Sequence, residues 1–210
     1  MQVFEQIVDS VFKGEAEEVT RLTKLALAQD ISAQDILNNG LVAGMDIVSE
    51  KFKANEIFIP EVLVSARAMK AGMSIIRPIL AETNIEALGK VAIGSIQGDL
   101  HDIGKNIVGM LLEGAGFEVI DLGADVTIDR FIQTAQNENV DIIGMSALLT
   151  TTMINMKAVI EGLKNAGLKG VKVMIGGAPV TQTFSDQIGA DGYADDASRA
   201  VDLAKGLLGR

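Results

Sequence analysis

The chain contains no cysteine and no tryptophan, and it has only one tyrosine and one histidine among its 210 residues. Without cysteine it cannot form a disulfide framework, an iron–sulfur cluster or a cysteine-ligated zinc site. Any metal must therefore be held by the single histidine, by carboxylates or inside a prosthetic group. This absence removes many classes of metalloenzyme.

The chain also has little positive charge and no long apolar run. Its formal net charge is −10 and only 4% of its residues are aromatic, which opposes nucleic-acid binding, since that needs basic grooves and stacking platforms. The apolar runs are short and interrupted by charge, and the first residues form neither a basic nor a long apolar segment. We expect a cytoplasmic protein that binds small molecules or proteins, and neither nucleic acid nor a membrane.

The first 80 or so residues have a helical pattern. Apolar residues recur there at three- and four-residue steps, as in Phe4, Ile7 and Val8. The segment from Ser32 to Asp35 has the spacing of a capping box, and Pro60 suits the first turn of a later helix. That last helix has an apolar seam typical of bundle packing, formed by Val62, Ala66, Met69, Met73, Ile76 and Leu80. We predict an all-α domain over residues 1–88, a four-helix bundle.

From Lys90 onward, short β-branched runs alternate with helical ones, which indicates a parallel sheet covered by helices. We predict a five-stranded, doubly wound α/β domain of the Rossmann-like or flavodoxin-like class over residues 89–210, joined to the bundle by a polar linker over 81–89. The predicted strands are 90–96, 117–121, 140–146, 171–175 and 192–194. The predicted helices are 104–115, 127–138, 151–166, 180–188 and 196–208.

Three groups of residues follow predicted strands, at the sheet edge where such domains bind ligands. The first is Asp99-x-His101-Asp102-Ile103-Gly104, the second contains Ser146 and Leu148, and the third is Gly176–Gly177. A carboxylate two residues before an imidazole can bind one ring nitrogen and leave the other for a metal or a proton. Taken singly, Asp99, Asp102 or Ser146 also fits a helix cap, and the two glycines fit a strand-to-helix turn.

In combination these motifs resemble the cobalamin-binding signature of methionine synthase and of corrinoid proteins. The bundle resembles the same group, because Glu56-x-Phe58-x-Pro60 and a later Ser65-Ala66-x-x-Met69 are similar to the cap helices of methionine synthase. The resemblance covers nearly the whole chain. The length of the chain is like that of the small corrinoid proteins of anaerobes, which serve methanol, methylamine or methoxylated aromatic substrates in one-carbon metabolism.

The resemblance implies that the chain binds cobalamin or a related corrinoid in the base-off/His-on form. His101 would be the cobalt ligand, Asp99 would bind its other ring nitrogen, and Ser146 would extend this relay. The nucleotide tail would enter a slot in the doubly wound domain. Its lining would include Asp102, Ile103, Gly104, Leu148, Thr150, Gly176, Gly177 and Tyr193.

The resemblance also implies a methyl carrier that cycles between Co(I) and methyl-Co(III), without a complete active site of its own. The bundle would shield the methyl group with Phe58, Val62 and Met69. The partners would be a substrate-specific methyltransferase, an acceptor methyltransferase that uses tetrahydrofolate or a thiol coenzyme, and a reductive activator.

Other functions stay open from the sequence. A corrinoid-binding sensor or regulator is the main alternative, although it would normally carry a DNA-binding segment. A mutase subunit would usually lack the helical cap. A receiver-like signalling module would need an acidic cluster after its first strand, where this chain has Gly94-Ser95-Ile96-Gln97.

Overall fold

A computed structural model of the chain describes residues 2–82 and 87–209, which fall into two compact units. The first unit contains the chain up to residue 86 together with Glu113–Gly116, and the second contains the remainder. The predicted linker over 81–89 includes residues 83–86, which lie outside the described residues. The domain boundary between residues 88 and 89 stays a prediction.

The first unit is helical, as predicted. Ser32 caps the third helical segment, since its hydroxyl accepts the Asp35 amide at 3.0 Å and donates to the Asp35 carboxylate at 2.7 Å. That segment continues through a π-helical stretch over Leu37–Val42, whose wider turn buries both Gly40 and Leu41. The α-helices of this unit are α1 (Gln2–Lys13), α2 (Ala16–Ala28), α3 (Ala33–Ile36), α4 (Ala43–Lys53) and α5 (Ile59–Glu82).

The apolar seam predicted for α5 is only partly the buried face of that helix. Val62, Met69, Ile76 and Leu80 are buried, whereas Ala66 and Met73 are partly exposed. The buried positions include Ser65, whose hydroxyl satisfies its hydrogen-bonding capacity by donating to the Phe12 carbonyl at 3.0 Å. The sequence pattern missed this position because a buried serine does not register as apolar.

The second unit is a five-stranded, fully parallel sheet, which confirms the predicted fold class. The strand order β2-β1-β3-β4-β5 is the flavodoxin-like order. The strands are β1 (Lys90–Ile96), β2 (Glu118–Val126), β3 (Ile142–Ser146), β4 (Lys172–Gly176) and β5 (Gly192–Ala194). The helices are α6 (Ile103–Gly114), α7 (Ile128–Asn137), α8 (Thr150–Met153), α9 (Met156–Asn165), α10 (Gln182–Ile188) and α11 (Ala197–Leu207).

Two elements of this unit differ from the prediction. Strand β2 extends to Val126 rather than ending at residue 121, because two register shifts against β1 let it continue past Asp121. The single helix predicted over 151–166 is divided into α8 and α9 by a turn around residues 154–155. Both differences lie at the carboxyl edge of the sheet, beside the predicted motifs.

The register of the sheet brings the three predicted motifs to one edge. Ser95 of β1 pairs with Ser146 of β3, Ser146 pairs with Gly176 of β4, and Gly176 pairs with Ala194 of β5. Strand β1 lies between β2 and β3 and is buried from Val91 to Ile96, as expected for a central strand of a doubly wound sheet. The loops that follow β1 and β3 are thus neighbours. None of the described helices combines the length and the apolar composition needed to cross a membrane.

Candidate cofactor-binding site

The Asp99 carboxylate is the centre of the site. Its side chain is fully buried between the loop after β1 and the loop after β3. One oxygen, Oδ1, lies 2.8 Å from His101 Nδ1 and accepts the His101 amide at 3.1 Å. The other, Oδ2, accepts the Thr152 hydroxyl at 2.7 Å and the Leu148 and Leu149 amides at 2.8 and 3.3 Å. The two loops are therefore joined through a single side chain.

These contacts keep Asp99 ionised. Burial acts to raise the pKa of Asp99, but the hydrogen bonds from Thr152, the Leu148 amide and His101 outweigh it and hold the pKa well below its usual value. A carboxylate can only accept, so the proton between the two side chains belongs to His101 Nδ1. In the neutral imidazole the lone pair is then on Nε2, and the His101 side chain is 52% exposed. The ring is oriented by one nitrogen and available to a ligand through the other.

Two further polar residues fix the loop after β1. The Ser95 hydroxyl, which is buried, donates to the His101 carbonyl at 2.6 Å. The Asn155 side-chain amide donates to the Gln97 carbonyl at 3.1 Å. Sequence reasoning missed both residues, although a serine inside the apolar run Val91–Ile96 was a signal, because a hydroxyl in a buried strand needs a partner.

The relay predicted through Ser146 needs correction. Among the described residues, the hydroxyl that reaches Asp99 is that of Thr152, and Ser146 forms no side-chain hydrogen bond to it. The reason is geometric: Ser146 ends β3 within the sheet register, whereas the chain then turns so that the first turn of α8 faces Asp99. Ser146 as a corrinoid contact stays a prediction.

An ion pair between a buried lysine and an exposed aspartate anchors the start of α6. The Lys105 side chain is 1% exposed, and its ammonium donates to Asp121 at 2.5 Å and to Asn106 at 2.6 Å. Burial acts to raise the pKa of Asp121, but the Lys105 hydrogen bond and the Gly123 amide lower it overall. The pair ties the helix that follows the His101 loop to strand β2.

Large apolar side chains are exposed around His101. Such exposure is uncommon on a surface that remains free, and it typically marks a ligand or partner site. The exposed fractions are 75% for Leu100, 71% for Ile103, 46% for Leu148, 42% for Leu149 and 61% for Ile154. Leu100 and Ile103 lie on either side of His101 in the sequence, and Leu148 lies in the segment whose amides bind Asp99. The accessible imidazole therefore lies in a largely apolar surface.

The glycines of the predicted slot differ in what a side chain at each position would contact. A Cβ at Gly104 would have no neighbour within 4 Å, so nothing in the protein itself excludes a side chain there. A Cβ at Gly177 would stand 1.9 Å from the Ala147 carbonyl oxygen, and its φ is +119°. At Gly176 it would stand 2.9 Å from the Ala194 carbonyl oxygen. Packing of the sheet edge explains Gly176 and Gly177, whereas no contact within the protein requires glycine at position 104.

The remaining predicted contact residues differ in position and in exposure. Asp102 precedes α6 and its carbonyl accepts the Asn106 amide at 2.8 Å, while Thr150 is exposed at the start of α8. Tyr193 is half-buried in β5, where burial and then the charge of Asp195 raise its pKa. The assignment of these three residues to a slot stays a prediction.

Of the residues predicted to shield a methyl group, only one is exposed in the structure. Phe58 is 64% exposed, whereas Val62 and Met69 are 0% and 3% exposed. Val62 and Met69 lie on the buried face of α5, so they have no accessible surface to offer to a ligand. Their shielding role stays a prediction that requires this face to open.

The residues of the site fit a metal-containing prosthetic group better than a free metal ion. In residues 2–82 and 87–209 no cluster of three or more histidine, cysteine or acidic side chains could hold an ion. His101 instead offers one oriented nitrogen, the surroundings are apolar, and the open space at Gly104 admits a bulky group to the backbone. A prosthetic group that brings its own metal, as the resemblance to corrinoid proteins implies, would suit such a site.

Comparison with known proteins identifies both units. A B12 binding domain family matches residues 89–202, and a second B12 binding domain family matches residues 3–77. A corrinoid protein of Desulfitobacterium hafniense is 42% identical over 100% of this chain and 99% of its own length. The dimethylamine corrinoid protein of Methanosarcina barkeri is 42% identical over 99% of this chain and 98% of its own length.

A solved structure shows the same fold over the full chain. The methanol:cobalamin methyltransferase complex of Methanosarcina barkeri contains a chain that matches with a TM-score of 0.90 and 31% identity, covering 99% of this chain and 80% of that one. The family matches and the relatives confirm the resemblance. The chain therefore belongs to the B12-binding corrinoid proteins of methyltransferase systems, and its cofactor is cobalamin or a related corrinoid.

Proposed function

We propose that the chain is a methyl carrier in which His101 Nε2 provides the lower axial ligand of the corrinoid cobalt, in place of the corrinoid's own base. One observation carries the proposal: the only histidine of the chain is held through Nδ1 by a buried carboxylate, while its side chain is half exposed and its other nitrogen has no part in that bond. When bound, the corrinoid supplies the cobalt that carries the methyl group from one partner enzyme to the other.

Asp99 tunes the histidine in this scheme. An anionic partner on Nδ1 makes the imidazole a stronger donor through Nε2 and fixes the ring orientation. The Thr152 hydroxyl and the Leu148 amide keep the carboxylate charged, so the Nδ1 proton stays on the histidine. Uptake of a proton at Nε2 would compete with the metal, which links ligand release to protonation.

The loop residues would then hold the rest of the cofactor. Leu100, Ile103 and Leu148 offer apolar surface beside His101, and Gly104 leaves room for the tail to approach the first turn of α6. Burying these exposed side chains against a large ring would be favourable by about 25 cal/mol for each Å² removed from water. Of the three predicted shielding residues, Phe58 is the one with exposed apolar surface.

The partners are proposed by analogy with the relatives. Names of relatives include dimethylamine and trimethylamine corrinoid proteins, and one structural match is part of a methanol methyltransferase complex. We infer a substrate-specific methyltransferase as donor partner, an acceptor methyltransferase that uses tetrahydrofolate or a thiol coenzyme, and a reductive activator.

The test is turnover. Loaded protein, present at far below the substrate concentration and kept reduced to cobalt(I) by a low-potential chemical reductant, is incubated with the methyltransferases encoded beside its gene, with carbon-14 methyl donors and with tetrahydrofolate or a thiol as methyl acceptor. A carrier passes on many methyl groups per molecule, and His101→Ala lowers the rate while the corrinoid is retained. Transfer of at most one methyl group per molecule with every donor contradicts the carrier role and favours a sensor.

A further inference from the structure

Strand β2 departs from regular pairing beside the His101 loop. Its register against β1 shifts between Ile93 and Gly94 and again between Gly94 and Ile96. Near the second shift, Asp125 has φ +52°, a left-handed conformation that aspartate tolerates better than most residues with a side chain. Such irregularities often aim a side chain at a functional site.

Asp125 accepts one hydrogen bond from the loop after β1 and donates another to it. Its carboxylate accepts the Gly98 amide at 2.7 Å, and its own amide donates to the Asp99 carbonyl at 2.9 Å. The two peptide groups on either side of the Gly98–Asp99 bond, Gln97–Gly98 and Asp99–Leu100, are therefore both held by β2. The Asp99 side chain holds His101 Nδ1.

The core does not need this carboxylate. Asp125 is exposed, so its side chain fills no interior space, and a left-handed backbone would be easier for glycine or asparagine. The carboxylate contributes the hydrogen bond from the Gly98 amide. From this geometry we infer that Asp125 is a positioning residue, which sets the place of Asp99 and, through it, the place of His101.

The inference rests on the proposed function, in which His101 binds the cobalt. If the backbone on either side of Gly98 and Asp99 loosens, Asp99 Oδ1 samples more positions, and the imidazole must be ordered again each time it binds. One exposed hydrogen bond contributes about 1 kcal/mol, which corresponds to about a fivefold change in an equilibrium. The corrinoid should still bind, because the hydrogen bonds of Asp125 described above go to Gly98 and Asp99 and not to the exposed apolar residues around His101.

The experiment uses the single histidine as a probe. The full chain, purified without a histidine tag and labelled with nitrogen-15 histidine, is loaded with hydroxocobalamin and reduced to cobalt(II). Electron paramagnetic resonance then distinguishes a nitrogen-15 ligand from added unlabelled imidazole. The quantity measured is the imidazole concentration that displaces half of His101.

Asp125→Gly removes the carboxylate without backbone strain, and Asp125→Asn keeps an acceptor in a tolerated conformation. Asp141→Gly is the matched control, because its carboxylate accepts the Lys90 amide at 2.8 Å at the start of the same central strand, away from the site. We expect the displacing concentration to fall about fivefold in Asp125→Gly and about twofold in Asp125→Asn, and to stay unchanged in Asp141→Gly.

A second readout needs no cofactor. In the unloaded protein, hydrogen exchange of the Gly98 amide should be about fivefold faster in Asp125→Gly and unchanged in Asp141→Gly. Wild-type displacement in Asp125→Gly, or equal losses in both glycine variants, overturns the inference. If Asp125→Gly does not fold, Asp125→Asn decides, since no loss in that variant overturns it as well.

The two proposals can fail separately. If His101→Ala gives the same spectrum as the wild-type protein, the proposed ligand is wrong. If His101→Ala loses the histidine signal while Asp125→Gly keeps wild-type displacement, only the positioning role is wrong.

Discussion

Gly104 offers a direct test of where the corrinoid approaches the protein. It is the second residue of α6, and a Cβ there would meet nothing within 4 Å. A side chain should therefore be accepted by the unloaded protein and rejected by the loaded one. Gly104→Ala and Gly104→Leu separate these two effects, because only the leucine reaches far into the open space.

The magnitudes follow from the structure. Replacing a helical glycine with alanine stabilises a protein by about 0.5–1 kcal/mol, or a melting-temperature rise of roughly 2–5 °C for a unit of this size. Overpacking against a bound group costs about 1–3 kcal/mol, so Gly104→Leu should weaken corrinoid binding by about tenfold or more. Gly177→Ala should instead destabilise the unloaded protein by about 2–5 kcal/mol, since its Cβ would meet the Ala147 carbonyl at 1.9 Å.

The assay combines thermal unfolding of the unloaded protein with a hydroxocobalamin titration. Gly206→Leu is the matched control, because Gly206 is also helical with no neighbour within 4 Å but lies near the end of α11, away from the carboxyl edge. Gly206→Leu should bind corrinoid like the wild-type protein. Wild-type affinity in Gly104→Leu would refute the reasoning and place the slot elsewhere.

Three further predictions concern the polar groups of the second unit. Thr152→Val should raise the pKa of Asp99 and lower the free energy of unfolding by about 1–3 kcal/mol, seen by carbon-13 carboxyl titration and by urea unfolding; an unmoved pKa would contradict the assigned hydrogen bond. Ser95→Ala leaves the His101 carbonyl without its buried donor and should cost about 1–3 kcal/mol, with a loss below 0.5 kcal/mol arguing against it. Because the pKa of Asp121 is lower in the folded than in the unfolded state, its stabilisation is present above the unfolded pKa, near 3.8, and is lost as pH falls through the folded pKa. Asp121→Asn should therefore be less stable near neutral pH and lose less stability on acidification than the wild-type protein; parallel pH profiles would contradict this.

Much of the fold was predictable because the local signals agree with the global ones. Strands β1 and β5 have the predicted limits, since their apolar runs are bounded by polar residues and glycine. The capping box at Ser32 formed as expected because its hydrogen bonds are local. The shared sheet edge followed from strict alternation of strands and helices, since parallel strands bring all their carboxyl ends together.

What the sequence did not predict depends on contacts between distant segments. Thr152 reaches Asp99 from 53 positions away, and nothing in its local sequence distinguishes it from Ser146 as the hydroxyl of the relay. The contacts of Asp125 depend on its position near a register shift, and alternating apolar patterns in the sequence do not reveal such shifts. The reason for Gly177 appears only when the backbone of Ala147 is in place.

Isotope substitution shows whether His101 Nε2 binds the cobalt. Untagged protein labelled with nitrogen-15 histidine is loaded with hydroxocobalamin, reduced to cobalt(II) and compared with unlabelled protein by electron paramagnetic resonance. Because the chain has one histidine, we expect the nitrogen splitting to change from a triplet to a doublet on labelling and to disappear in His101→Ala. A triplet that survives both labelling and His101→Ala would mean that the corrinoid keeps its own base and that His101 is not the cobalt ligand.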